Sequence, residues 1–236
     1  MPLPPQILLP LEGRRPDRFD DFVPGRNRLV IAALLESLDT PGASLFLYGP
    51  PGSGKTHLLN AACNWVRERA GTTFYIRLDG LPATAAAGLD GLEGCELVCV
   101  DDFDAVAGQR SWEDALFHCC NRLRGAGGRL VVSSAVGLGQ LPICLPDLAS
   151  RLGWGVRAKL EPLDDAGKAA VLERHAARQG IELPTAVQTY LLSRGSRSLA
   201  ALLAALDAIC AAALAGKRKI TVPLARAVMT AGTSLE

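Results

Sequence analysis

The sequence predicts a parallel α/β sheet covered by helices on both faces, followed by a small all-helical domain. Three observations carry this. An apolar run, Leu45-Phe46-Leu47-Tyr48, opens into a glycine-rich turn and then a helical pattern, Gly49-Pro50-Pro51-Gly52-Ser53-Gly54-Lys55-Thr56-His57-Leu58-Leu59. Short apolar runs then alternate with amphipathic stretches up to residue 160, which is the pattern of strands that must cross over to pair in parallel. Beyond Pro162 no strand pattern remains, and only helical stretches separated by Gly or Pro follow.

The turn fills every fixed position of G-x-x-x-x-G-K-[ST] between a strand and a helix, the context in which that pattern is a phosphate-binding loop. Its glycines let successive N–H groups and the helix N-terminus converge on one anion. Pro51, Gly52, Ser53 and Gly54 therefore form the cradle, Lys55 reaches the β- and γ-phosphates, and the Thr56 hydroxyl ligates Mg²⁺. A nucleoside di- or triphosphate, ADP or ATP with Mg²⁺, is the expected ligand.

Taken in order, residues 1–18 are Pro-rich, with an apolar hexapeptide Gln6-Ile7-Leu8-Leu9-Pro10-Leu11 in their midst. The prolines exclude a helix and favour an extended segment that docks on its own domain or in a partner's groove. Residues 26–39 carry apolar positions at helical spacing, 44–48 read as a strand, and 56–70 as an amphipathic helix ended by Gly71. Residues 73–78 alternate as a second strand, and 80–94 are weakly patterned, with a short helix between loops. Leu97-Val98-Cys99-Val100-Asp101-Asp102 is a buried strand ending in two carboxylates. Beside a phosphate loop, Asp101 holds the Mg²⁺ shell and Asp102 orients and deprotonates the attacking water. A helix follows over 111–124 with Ser111 as N-cap, then strands at 129–134 and 156–160. The helical stretches of the second domain are 164–179, 184–194, 198–214 and 223–230.

Composition excludes other classes. With 49% hydrophobic residues, 21% charged and a formal charge of +1, the chain is neither disordered nor strongly basic. The start has no basic n-region and no apolar run is long enough to span a bilayer, so a cytosolic protein without a membrane partner is expected. The seven cysteines lack C-x-x-C spacing and are expected to be reduced, buried small hydrophobes.

The phosphate loop, the strand ending in Asp-Asp and the helical C-terminal lid together resemble an AAA+ ATPase. More narrowly, Phe19-Asp20-Asp21-Phe22-Val23-Pro24-Gly25, His57-Leu58-Leu59-Asn60-Ala61 and Leu148-Ala149-Ser150-Arg151-Leu152-Gly153-Trp154-Gly155 resemble the DnaA clade. With the chain ending directly after the lid, no helix-turn-helix domain is expected, and the resemblance is to the Hda family of DnaA-related replication regulators. It implies three regions: a clamp-binding segment at 1–18, an AAA+ nucleotide-binding domain at 19–162 and a helical lid at 163–236.

Residues 6–11 differ from that family's sliding-clamp motif, Gln-Leu-x-Leu-Pro-Leu, only by Ile7, so Gln6, Ile7, Leu8, Leu9, Pro10 and Leu11 are the implied clamp contacts. Arg151 falls at the arginine-finger position and would act on ATP bound to DnaA, the implied partner. Phe22 and Val23 fall where the family packs adenine, and His57 and Arg197 join the implied nucleotide contacts. Two positions depart from the pattern. The polar sensor after the strand at 130–133 is Ala135, with Ser134 adjacent, and the lid's sensor arginine aligns with Ala200, with Arg197 one turn earlier. Such a site holds ADP firmly and is a poor ATPase, although Asp102 retains a water-orienting role. The competing reading is an autonomous AAA+ ATPase that works as a homo-oligomeric loader. A homodimer remains open at this stage, and DNA contact is expected to be weak or indirect.

Overall fold

Five short strands build the centre of the molecule: β1 (Ser44–Tyr48), β2 (Thr73–Arg77), β3 (Leu97–Asp101), β4 (Arg129–Ser134) and β5 (Val156–Lys159). All pair in parallel, in the order β2-β3-β4-β1-β5. The computed structural model describes residues 17–194, 198–216 and 218–232. The hexapeptide at 6–11 and Arg197 lie outside the described residues.

Around the sheet run α1 (Arg28–Asp39), α2 (Lys55–Arg67), α3 (Arg110–Gly125) and α4 (Pro146–Gly153). Strand periodicity decides which side chain meets which helix. Leu45, Leu47, Leu97, Cys99 and Val131 pack with α1 and α2 in one core. Phe46, Val98, Val100, Leu130 and Val132 face the other way, against α3 and α4 in a second. By the same alternation Asp101 and Ser133 point to the side of α2, the helix that follows the phosphate loop. The interior strand β3 is buried at every position, as a parallel strand covered on both faces must be.

The C-terminal helices α5 (Asp165–Arg178), α6 (Thr185–Arg194), α7 (Leu199–Ala215) and α8 (Val222–Gly232) enclose their own core, centred on Leu172, Leu191, Leu206 and Ile209. Asp164 caps α5 by accepting from Gly167 N at 2.8 Å, a contact worth about 1 kcal/mol. The lid is tied back to the segment before α1. Arg174 donates to Asp20 O at 2.9 Å, Arg178 pairs with Asp21, and the Asn27 side chain exchanges two hydrogen bonds with the Glu161 backbone.

Several sequence expectations shift. The predicted N-cap Ser111 lies inside the first turn of α3, whose N-cap is Gln109 with no side-chain cap bond. Glu113, fully buried, instead binds the N–H groups of Gly108, Cys144 and Leu145 at 2.7–3.0 Å. α2 ends at Arg67 rather than Ala70, which turns to φ +63° and so cannot continue the helix. Residues 146–153, where the sequence predicts no element, form α4, with Pro146 in its first turn. Among the cysteines Cys144 is exposed, because it sits on the loop leading to α4. No helix among the described residues is long and apolar enough to cross a membrane.

Candidate functional site

The loop after β1 is shaped by Gly52 at φ +77° and Gly54 at φ +98°, a region costly for any side chain. At Gly54 space is also closed, since a Cβ would stand 2.6 Å from Phe22 Cε2. Lys55 is buried and donates to Gly49 O at 2.7 Å and Pro50 O at 3.3 Å. Burial pushes its ammonium below the usual lysine range, against the pull of Asp102, Asp101 and Asp104. Ser53 Oγ is buried with no hydrogen-bond partner among the described residues. An orphaned hydroxyl and a lysine satisfied only by its own loop's carbonyls fit a polyphosphate, which would give both a charged partner.

Thr56 enters the first turn of α2 and donates to Asp101 Oδ2 at 2.7 Å. This brings together the two residues expected at Mg²⁺. Asp101 also accepts from Tyr75 OH at 2.8 Å and from Ser133 Oγ. Burial and the Asp101 charge push the Tyr75 phenol far up, so it stays a neutral donor. Asp102 adopts a left-handed backbone at φ +56°, which turns its carboxylate away from Asp101 towards Arg77 Nε at 2.8 Å. Its N–H donates to Ser133 Oγ at 3.0 Å. Burial and the neighbouring Asp101 push the Asp102 carboxyl above its ordinary range, and Arg77 only partly offsets this. Tyr75, Arg77 and Ser133 escaped the sequence reading. They arrive through the parallel register, Arg77 opposite Asp101 and Tyr75 opposite Cys99, and no local pattern marks them.

The model of the Hda lid domain matches residues 165–229, and that of the bacterial DnaA ATPase domain matches residues 14–79. Domain III of the Thermotoga maritima replication initiation protein DnaA superposes with a TM-score of 0.79 at 25% identity, covering 92% of this chain and 97% of that one. The chain is a DnaA-related AAA+ protein. AMPPCP-bound DnaA from Aquifex aeolicus is 23% identical with a TM-score of 0.70, covering 82% of this chain and 64% of that one. The Thermotoga maritima RuvB Holliday junction branch migration motor shares the fold at 17% identity, a TM-score of 0.69, and coverage of 92% and 72%.

In this DnaA-related module the remaining expected residues divide into two places. Near the loop, Phe22 is buried beneath Gly54 and lies 5.7 Å, ring to ring, from His57, with Val23 half-buried beside it. His57 turns to Asp17 at 3.3 Å and to Arg18 O at 3.1 Å, so its ring nitrogens serve the chain before α1. At the sensor positions, Ala135 offers only its N–H, to Asp104 at 2.7 Å, and Ala200 is exposed in the first turn of α7. The backbone N of Leu199, at the start of α7, approaches the phosphate loop at Gly52.

Arg151 lies elsewhere, half-buried in the last turn of α4. It lines an open groove of about 430 Å³ together with Ser44, Leu130 and Val156, residues at the starts of their strands. The phosphate loop leaves β1 at its other end, about 13 Å away along the strand. Among the described residues no carboxylate comes within ion-pair distance of Arg151, including Asp147 one turn earlier. Its guanidinium stacks on Trp154 instead, 4.0 Å from the ring centroid.

Proposed function

We propose that this chain is a negative regulator of chromosomal replication initiation. It holds ADP or ATP in its own phosphate loop, is tethered to the DNA sliding clamp through residues 6–11, and stimulates ATP hydrolysis on DnaA through Arg151. The observation that carries this reading is the position of Arg151. It stands at the strand-start end of the sheet, beyond reach of its own phosphate loop, with no acid among the described residues paired to it. An unpaired arginine on an open face suits the developing charge of a phosphoryl group on a second protein.

The chain's own nucleotide would lie on the backbone of residues 51–54 with Lys55 on its β- and γ-phosphates. Thr56 and Asp101 would hold Mg²⁺, which when bound screens the phosphate charge. Asp102 is the group able to take a proton from water, and Arg77 restrains it. Arg77→Ala is therefore expected to raise the intrinsic ATPase about tenfold, since a positioned base contributes 10² or more. An unchanged rate in a single-turnover assay would show that Arg77 does not hold Asp102 back. Lys55→Ala is expected to weaken ADP about 100-fold, the loss of a charge-assisted contact, measured by equilibrium titration. Retention of full affinity would remove the loop's assigned role.

The hexapeptide adds the tether. An extended, proline-stiffened peptide loses little entropy on docking, with Gln6 giving polar register and Leu9 and Leu11 the apolar anchors. The deciding experiment measures phosphate release from ATP-loaded DnaA with clamp-loaded DNA, with the intact chain and with residues 6–11 deleted. The proposal expects strong stimulation by the first and little by the second. Rapid hydrolysis by the chain alone, with none on DnaA, would favour the self-contained loader.

A further inference from the structure

Arg151 is not the only arginine on Trp154. The guanidinium of Arg124, at the end of α3, lies 4.9 Å from the centroid of the same ring. Trp154 is 58% exposed, beside the groove that Arg124 and Arg151 both line. Neighbouring arginines behave differently. Arg122 pairs with Asp90 at 2.8 Å and Arg129 with Glu96 at 3.7 Å, whereas among the described residues neither Arg124 nor Arg151 has a carboxylate partner.

Stacking on an aromatic face holds a guanidinium in place while leaving its N–H edge open to an acceptor. Two cations gathered on one ring without an acid among the described residues repel each other, and an anion bound by both relieves that repulsion.

From this we infer that Arg124, Arg151 and Trp154 form one polyphosphate-binding site, with Arg124 as a second phosphate contact and Trp154 as the positioning residue for both arginines. The ligand is the triphosphate of a nucleotide carried by the partner, a specification that rests on the trans role proposed above for Arg151. Gly155 keeps the ring in register, because it packs directly on the Ser44 carbonyl, where a Cβ would stand 2.0 Å from the oxygen.

The test uses the full chain saturated with ADP, so that its own phosphate loop is filled, and calorimetric titration with inorganic tripolyphosphate. One saturable site is expected. Arg124→Ala and Arg151→Ala should each weaken it at least about tenfold. Trp154→Ala should weaken it about fivefold, with Trp154→Phe restoring most of the affinity because a ring face remains. Absence of a saturable site, or Arg124→Ala binding like the parent chain, would overturn the inference. The same variants in the DnaA phosphate-release assay separate it from the reading it rests on. Intact tripolyphosphate binding with no effect of Arg151→Ala on DnaA would remove the partner role and leave the anion site standing. Loss of stimulation in Arg151→Ala with full stimulation in Arg124→Ala would do the reverse.

Discussion

Arg151→Ala is expected to slow the stimulated hydrolysis of DnaA-bound ATP by about 10³-fold or more, the range of an arginine supplied in trans. The chain's own affinity for ADP should stay within about twofold, because four residue steps of β1, about 13 Å, separate the groove from the phosphate loop. Folding should also be unaffected, since among the described residues Arg151 has no acid to strand, and it stacks on a side chain that is itself exposed. Arg151→Lys is expected to recover only a small part of the rate. It keeps the charge but loses the planar fork and the stack on Trp154. Phosphate release under single-turnover conditions, with clamp-loaded DNA present, reads all three forms. A stimulated rate within about threefold of the parent in Arg151→Ala would defeat the proposal, because a trans cation on a phosphoryl group contributes far more.

How much of this could be read from the chain differs from residue to residue. The strands were legible because buried parallel strands are short apolar runs, and β4 was bounded at 129–134 from sequence and structure alike. Thr56 and Asp101 could be anticipated because a phosphate loop and an acid-ended strand are each local patterns, and the face alternation of β3 then brings them to 2.7 Å. Arg77 and Tyr75 could not, since their meeting with Asp102 and Asp101 depends on which strand lies beside β3. The choice of Ser111 as N-cap failed for a related reason. A local hydroxyl lost to Glu113, whose partners Cys144 and Leu145 lie more than thirty residues on. That Arg151 rests on the ring of Trp154, three residues away, rather than on an acid such as Asp147 could not be read from spacing, because both lie within one turn of it on α4 or its C-cap.

Glu113→Ala is expected to destabilise the AAA+ domain by about 2–3 kcal/mol, the range for removing a buried acceptor that serves several backbone N–H groups. The carboxylate is fully buried and binds N–H groups from two loops, Gly108 after β3 and Cys144 and Leu145 before α4. Removing it leaves three partly buried N–H donors without their acceptor at once. Glu113→Gln should cost about half as much. Its remaining oxygen can serve Cys144 and one other N–H, but its amide then faces the last donor head-on. Denaturant unfolding followed through the buried Trp112 beside it reads this domain directly. The linkage has a functional side, because Leu145 is the N-cap of α4 and Arg151 is in that helix's last turn. Glu113→Gln, folded at low temperature, should therefore keep ADP affinity yet lose part of the stimulation of DnaA. If Glu113→Ala unfolds within about 1 kcal/mol of the parent, the two loops have other anchors and this account of how α4 is held is wrong.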